Sequence, residues 1–154
     1  MSHTQKYVAY IFSQNIQVGI DIELIRENSD YSSLSHMIYS PSEKGSLPSK
    51  NKEIHFYKTW TLKEAFLKAV GIGLIFPPEK VSTVINGDNL DIPIIPDSLS
   101  GGNTSWTFKS LKLDGHMGAC AINEHEVEIF QHEIKQSTKN KKSLLIKNYG
   151  EPNI

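Results

Sequence analysis

Two acidic residues near the start of the chain have the type and spacing of a metal-binding pair. Residues 19–23 read Gly-Ile-Asp-Ile-Glu, which places Asp21 and Glu23 two positions apart in a β-prone segment. Side chains two positions apart on a strand point to the same face, with about 7 Å between their Cβ atoms. Because a hard divalent cation offsets the repulsion between carboxylates, the pair is a candidate cation site. A solvated strand end is the alternative for this pair taken alone.

A second candidate group lies in residues 60–74. Residues 60–68 read Trp-Thr-Leu-Lys-Glu-Ala-Phe-Leu-Lys, and Gly-Ile-Gly-Leu occupies 71–74. Glu64 and Lys68 are four positions apart, so they would share one face of a helix. Taken alone, this pair is typical of an exposed surface ion pair. The functional hypothesis therefore depends on the two segments together.

The elements that position these groups can be predicted from hydrophobic spacing and turn residues. We expect a long helix over 52–70, because its apolar residues recur at helical spacing, with Gly71 as its C-terminal cap. Strands are expected over 7–12 and 16–22, joined as a hairpin by the polar turn at 13–15. The first candidate pair would then lie at the end of a strand, and the second on a helix.

Two dipeptides predict further hairpins in the second half of the chain. The Asn-Gly pair at 86–87 separates candidate strands at 80–85 and 90–95, and the Asp-Gly pair at 114–115 separates candidate strands at 106–113 and 116–122. The sequence therefore predicts an α+β fold, in which an antiparallel sheet packs on one long helix and shorter ones.

Length and composition indicate the class of protein. The chain has 154 residues, a net charge of −1 and one cysteine, Cys120. The length fits a single domain, and the balanced charge gives no reason to expect a nucleic-acid or membrane partner. An intrachain disulfide is excluded, and no apolar run reaches the roughly 20 residues of a membrane helix. Residues 1–6 lack the apolar region of a secretory signal, so we expect a cytoplasmic protein.

The two segments in this order and at this separation resemble the 4′-phosphopantetheinyl transferase superfamily. Residues 19–23 resemble its Gly-(Ile/Val)-Asp-x-Glu motif, and residues 60–74 resemble its Trp-x-x-Lys-Glu-(Ala/Ser)-x-x-Lys motif with the glycines that follow. Residues 2–3, Ser-His, resemble an element of the larger Sfp-type members that the small trimeric holo-acyl-carrier-protein synthases lack. Residues 39–43 resemble the aromatic-Ser-x-x-Glu helix start of Sfp-type enzymes, and the resemblance extends over 2–122.

The resemblance implies a specific reaction and a metal cofactor. Family members transfer the 4′-phosphopantetheine arm of coenzyme A, the co-substrate, to a serine of an acyl or peptidyl carrier protein and release 3′,5′-ADP. By the family pattern, Asp21, Glu23 and Glu64 would hold Mg²⁺, with Mn²⁺ as the alternative. A set of oxygen ligands without His or Cys suits Mg²⁺, which binds through carboxylates, waters and substrate phosphates.

The same resemblance implies a set of phosphate contacts. Lys68, one helical turn after Glu64, would face the diphosphate of coenzyme A and the leaving phosphate. Lys63 lies on another face of the helix and is carried over as a further phosphate contact. Ser2 and His3 would meet the 3′-phosphate, and a frayed terminal histidine is the alternative for His3.

A base must accept the proton of the attacking serine, and the resemblance offers two. Glu43 and Glu64 are both candidates, the second through a metal-bound water. The sequence does not choose between them.

The resemblance also implies a domain boundary and a missing half. Residues 1–134 would form a phosphopantetheinyl transferase domain equivalent to one half of the pseudo-twofold Sfp-type fold, with the N-terminal half absent. Residues 135–154 are lysine-rich and are expected to form a solvated or disordered tail, a nucleic-acid arm being the alternative. Because the absent half would hold much of coenzyme A, we expect a homo-oligomer or a separate N-terminal half. The alternative function is a non-catalytic module that binds a carrier protein or coenzyme A.

Overall fold

The structure is a computed structural model that describes most of the chain. It covers residues 1–26, 31–87, 89–100, 105–125, 127, 129–135 and 142–147. The strands are β1 (Ser2–His3), β2 (Tyr7–Phe12), β3 (Val18–Leu24), β4 (Ser82–Asn86), β5 (Asn89–Ile94), β6 (Thr107–Leu113), β7 (His116–Ile122), β8 (Phe130–Lys135) and β9 (Lys142–Lys147). The α-helices are α1 (Ser32–Ile38), α2 (Pro41–Lys44), α3 (Lys52–Val70) and α4 (Asp97–Ser100), with 3₁₀ turns at Gly73–Ile75 and Pro78–Lys80.

The described strands form three sheets. Their orders are β1-β2-β9-β8, β3-β7-β6 and β4-β5. Every described pair is antiparallel except β2 with β9, which is parallel. The predicted α+β class is confirmed, with the difference that the strands divide among sheets and include one parallel pair.

The predicted hairpin between residues 7–12 and 16–22 is wrong. β2 pairs with β1 and β9, whereas β3 pairs with β7 in another sheet. The physical reason is that β3 is buried on both faces, so β2 packs across one face of it instead of along its edge. Tyr7 and Ala9 of β2 share an apolar cluster with Ile20 and Ile22 of β3.

Helix α3 covers the opposite face of the β3-β7-β6 sheet. Leu62, Ala65 and Phe66 are fully buried and belong to one cluster with Ala119 and Ala121 of β7. The helix has the predicted bounds and ends at Gly71, whose positive φ of 84° favours glycine at a C-terminal cap. Its buried face therefore fixes α3 directly against the strand that carries the first carboxylates.

Several local predictions are confirmed by the structure. The two predicted hairpins are present: β6–β7 turns at Asp114-Gly115, and β4–β5 turns just after Asn86, the last residue of β4. The strand predicted at 106–113 is present as β6, and the rings of Trp106 and Phe108 at its start pack on α3, with centroids 5.0 Å and 6.3 Å from that of Phe66. The helix start at Ser40 has a complete capping box with Glu43.

The lysine-rich segment after residue 134 contributes to a sheet. Residues 142–147 form β9, which lies between β2 and β8, in place of the expected solvated tail. The rest of that segment, 136–141 and 148–154, lies outside the described residues, and the domain boundary at 134 stays a prediction. Within the described part of the chain, no helix has the length and apolar character needed to cross a membrane.

Candidate active site

The candidate site forms where β3 and α3 approach most closely. Gly19 makes this approach possible, because a Cβ atom at this position would overlap the carbonyl oxygen of Ala65 and lie 2.5 Å from the amide nitrogen of Ala69. These contacts are with helix backbone, which cannot move aside as a flexible side chain would. Asp21 follows Gly19 by two residues and Glu64 directly precedes Ala65, so the glycine brings the two carboxylates together.

Asp21 is the centre of a buried hydrogen-bond group. The residue is 2% exposed, and its Oδ1 accepts from Lys68 Nζ at 2.6 Å and from Ser2 Oγ at 2.9 Å. Ser2 Oγ in turn accepts from the backbone nitrogen of Ile22 at 3.2 Å. The second carboxylate oxygen, Oδ2, is buried and has no hydrogen-bond partner in the described part of the chain.

Glu64 faces the same ammonium group from the helix. Its Oε2 lies 3.9 Å from Lys68 Nζ, and its Oε1 is buried without a partner among the residues that the structure describes. Burial raises the pKa of Glu64 above its ordinary value, and the negative charges of Asp21 and Glu23 act in the same direction, while Lys68 opposes them. The site therefore disfavours the ionised carboxyl until a positive charge arrives.

Glu23 extends the acidic group toward solvent. Its Oε1 accepts a hydrogen bond from Trp60 Nε1 at 3.2 Å. Desolvation is the main reason that the pKa of Glu23 is raised, and the neighbouring charge of Asp21 adds to it. Trp60, the first residue of the 60–68 segment, thus orients a candidate ligand. Its place at the start of the 60–68 motif is the sequence signal for that role.

The carboxylates fit a hydrated divalent cation. Two buried oxygens, Asp21 Oδ2 and Glu64 Oε1, have no described partner, and such groups are rare unless an ion or water satisfies them. No three His, Cys, Asp or Glu side chains within the described ranges converge into a complete ligand set. Mg²⁺ does not require one, because it keeps several waters and binds proteins through one or two carboxylates. The donor set is therefore consistent with Mg²⁺.

Lys63 and Glu43 are not brought to this carboxylate group. The Lys63 side chain is fully buried, and its Nζ donates to Glu43 Oε2 at 2.6 Å. Burial by itself would raise the pKa of Glu43, but the donors around the carboxylate, Lys63 first and Thr83 next, outweigh burial and hold that pKa below its ordinary value. The geometry thus gives Lys63 no access to a phosphate and gives Glu43 little capacity as a base.

The two halves of the Ser-His segment separate. Successive strand residues point to opposite faces, so Ser2 is buried against Asp21 while His3 is exposed. No described hydrogen bond joins His3 to the carboxylates. The structure therefore connects Ser2, and not His3, to the candidate site, and the assignment of His3 to a phosphate stays a prediction.

An apolar groove adjoins the site on the Glu23 side. It encloses about 480 Å³ and runs from Glu23 and Trp60 to the exposed apolar residues of α1. Leu34 and Met37 of α1 are about half exposed there, at 50% and 54%. The groove thus places exposed apolar surface directly beside the carboxylates.

The family follows from comparison with known sequences. A model of the 4′-phosphopantetheinyl transferase superfamily matches residues 17–129, well over half of the chain. The chain belongs to this superfamily. The match includes β3 and the whole of α3, so both carboxylate segments of the superfamily member lie within it.

Curated relatives are longer than this phosphopantetheinyl transferase homologue. The 4′-phosphopantetheinyl transferase HetI of Nostoc sp. is 39% identical over 77 residues, which are 48% of this chain and 32% of HetI. The L-aminoadipate-semialdehyde dehydrogenase-phosphopantetheinyl transferase of Xenopus laevis is 29% identical over 147 residues, which are 86% of this chain and 48% of that protein. The chain thus spans about half, or less, of the length of these relatives.

Solved structures of the superfamily share the fold. The holo-[acyl-carrier-protein] synthase of Thermotoga maritima superposes with a TM-score of 0.60 at 20% identity and covers 82% of each chain. Holo-ACP-synthase from Plasmodium yoelii gives a TM-score of 0.54 at 17% identity, over 72% of this chain and 95% of that one. At these identities the likeness shows the α+β fold.

Proposed function

We propose that the protein transfers the 4′-phosphopantetheine arm of coenzyme A to a serine of an acyl or peptidyl carrier protein, with Mg²⁺ as cofactor and 3′,5′-ADP as the released product. The observation that carries the proposal is the Asp21–Glu64 pair. One oxygen of each carboxylate lies near Lys68 Nζ, at 2.6 Å and 3.9 Å, and the other oxygen of each is buried without a described partner. Membership of the superfamily supports it, as does the similarity to relatives named as phosphopantetheinyl transferases.

In this proposal Asp21 and Glu64 hold the cation, and Glu23, the third residue of the family pattern, adds negative charge beside them. When bound, the ion would neutralise negative charge on the diphosphate of coenzyme A. Lys68 is the residue free to contact the same phosphates, because 34% of its side chain is exposed whereas Asp21 is held in place by Ser2. The lysine would thus exchange part of its contact with Asp21 for the substrate.

The proton of the attacking serine is assigned to Glu64. The serine oxygen forms a bond to the phosphorus next to the pantetheine arm, and the bond from that phosphorus to the 3′,5′-ADP oxygen breaks. Glu64 is suited to accept the proton because it faces Lys68, the proposed phosphate contact, and one of its oxygens has no described partner. Glu43 lacks such an oxygen, because its two oxygens accept four donors from three residues.

The carrier protein is proposed to lie over the apolar groove beside Glu23. The serine belongs to a folded partner, so surface next to the carboxylates must contact that partner. Leu34 and Met37 provide exposed apolar surface at this place. A second copy of the chain would supply further contacts to coenzyme A. We also place the protein in the cytoplasm, because a single cysteine fits a reducing compartment.

The direct test is transfer by the purified chain. The protein is incubated with coenzyme A, Mg²⁺ and a panel of apo-carrier proteins, and intact-mass spectrometry follows each carrier. We expect a Mg²⁺-dependent mass gain that matches phosphopantetheine, together with one equivalent of 3′,5′-ADP. A folded chain that binds coenzyme A or a carrier protein but modifies no carrier, even at high protein concentration, would contradict the proposed transferase activity. That result would support a non-catalytic binding module.

A further inference from the structure

We propose that Lys63 and Glu43 form a positioning pair that holds α3 so that Glu64 faces Asp21, and that neither residue touches coenzyme A. The inference rests on the proposed function only for its cation-binding readout. The resemblance assigns Glu43 as a base and Lys63 as a phosphate contact, whereas the structure pairs the two residues away from the carboxylate group. The proposal gives them a positioning role instead.

The contacts of Lys63 show that its charge is used inside the protein. Its side chain has no exposed surface, and its Nζ donates to the carbonyl oxygen of Ile38 at 2.5 Å and to Glu43 Oε2 at 2.6 Å. A buried ammonium that left these acceptors would leave a carboxylate uncompensated in the interior. A phosphate outside the core is therefore not within its reach.

The contacts of Glu43 extend the pair to other elements. Its Oε2 also accepts from the backbone nitrogen of Ser40 at 2.6 Å. Its Oε1 accepts from the nitrogen of Thr83 at 2.8 Å and from Thr83 Oγ1 at 2.5 Å. One side chain of α3 is thus tied to the end of α1 through Ile38, to the start of α2 and to β4.

Because Lys63 directly precedes Glu64 in α3, the contacts of Lys63 also restrict the direction of the Glu64 side chain. Consecutive helix residues project about 100° apart, so the direction of one side chain fixes that of the next. The backbone contact of Gly19 with Ala65 and Ala69 limits the distance between α3 and β3. The ion pair on another face of the helix limits its rotation. Together these two restraints determine where Glu64 Oε1 lies relative to Asp21.

A double-mutant cycle tests the pair. The variants are Lys63→Met, Glu43→Gln and the two combined, with Lys52→Met as control, because Lys52 is an exposed lysine at the start of the same helix. Each single change should lower Tm by roughly 6–20 °C, since it leaves one buried group uncompensated. The combined variant should recover more than half of that loss, and Lys52→Met should melt like the wild type.

The second readout separates positioning from mere structural support. Titration with MgCl₂, followed as the rise in Tm, gives the cation affinity of each folded variant. We expect the affinity to fall roughly tenfold in Lys63→Met and in Glu43→Gln and to return in the combined variant. Thr83→Val, which keeps both charges and removes one donor to Glu43, serves if a single variant does not fold, and it should show a smaller loss of the same sign.

Each other outcome overturns a stated part of the proposal. Additive losses of Tm in the combined variant would exclude a coupled pair. Coupled losses of Tm with an unchanged Mg²⁺ affinity would leave a stabilising pair without a positioning role. A Lys63→Met variant of normal Tm with a tenfold higher KM for coenzyme A would make Lys63 a phosphate contact. If MgCl₂ does not raise the Tm of the wild type, both the cation site and the positioning role are overturned. If MgCl₂ raises the Tm but the protein transfers no phosphopantetheine, only the proposed transferase activity is overturned.

Discussion

Lys68 Nζ lies 2.6 Å from Asp21 Oδ1, which joins the last turn of α3 to β3 across the candidate site. The two partners differ in exposure, since 34% of the lysine side chain is accessible and only 3% of the aspartate. The carboxylate is therefore the fixed member of the pair and the ammonium the adaptable one. This asymmetry is what a site requires if its lysine is to contact a phosphate while its aspartate holds a cation.

Replacing Lys68→Met should separate the two roles of the lysine. Without the ammonium, Asp21 and Glu64 lack their shared positive neighbour, so the free energy of unfolding should fall by about 1 kcal/mol, a value kept small by the exposure of the lysine. Transfer should fall roughly a hundredfold, because a charged donor to the phosphates is lost. Thermal unfolding with and without Mg²⁺ measures the loss of stability. We expect the difference in Tm between Lys68→Met and the wild type to be smaller when Mg²⁺ is present. A variant with normal turnover would contradict the phosphate role.

The raised pKa of Glu64 gives a pH-dependent stability with a definite sign. A carboxyl whose folded pKa lies above its unfolded value stabilises the fold below the unfolded pKa, about 4.3, and loses that contribution as the pH rises through the folded value. Glu64→Gln removes the ionisation. In the absence of divalent cations, Tm of this variant should match the wild type near pH 4 and exceed it at pH 7. A variant that is less stable than the wild type at pH 7 would show that Lys68 outweighs burial.

Gly19 should tolerate no side chain. Gly19→Ala places a methyl group against the backbone of Ala65 and Ala69, so we expect a loss of about 1–3 kcal/mol, or about 2–4 °C in Tm for each kcal/mol. Gly45→Ala is the matched control, because a Cβ there would meet only Ser42 O at 3.6 Å, an ordinary contact. Its Tm should stay near that of the wild type. Equal melting temperatures for both variants would disprove the close approach of β3 and α3.

The apolar groove should matter for the carrier protein and not for coenzyme A. Leu34→Asp or Met37→Asp should raise KM for the carrier roughly tenfold with KM for coenzyme A unchanged, because only the carrier is proposed to contact α1. Val84→Asp on β4 is the control, since Val84 is exposed to the same extent, 51%, away from the groove. Equal effects of the three substitutions on carrier KM would remove the groove from the interface.

The sequence predicts the structural features that depend on residues close together along the chain. The bounds of α3, its end at Gly71 and the two dipeptide hairpins follow from local spacing and turn chemistry, and the structure has all of them. Asp21 and Glu64 are separated by forty-two residues, which contain no local signal that the two carboxylates lie close together. Only the family resemblance predicts from the sequence that they share a site.

The parts that could not be predicted depend on tertiary packing. Residues 7–12 and 16–22 look locally like the strands of a hairpin, but burial of β3 on both faces places β2 and β3 in different sheets. Lysine is usually a surface residue. The complete burial of Lys63 is explained only by the two acceptors that converge on its Nζ, the carbonyl oxygen of Ile38 in α1 and the carboxylate of Glu43 in α2. The sheet position of residues 142–147 requires a parallel partner far away in sequence, which no local pattern indicates.

The central claim is that Asp21 and Glu64 carry Mg²⁺-dependent phosphopantetheine transfer, and one measurement tests it most directly. Initial rates of mass gain on an accepted apo-carrier are compared for the wild type, Asp21→Asn and Asp91→Asn, the last being an exposed aspartate on β5. We expect Asp21→Asn to remain folded, to lose the Mg²⁺-dependent rise in Tm and to transfer at least a hundredfold more slowly, while Asp91→Asn matches the wild type. Turnover by Asp21→Asn at the wild-type rate would contradict the account.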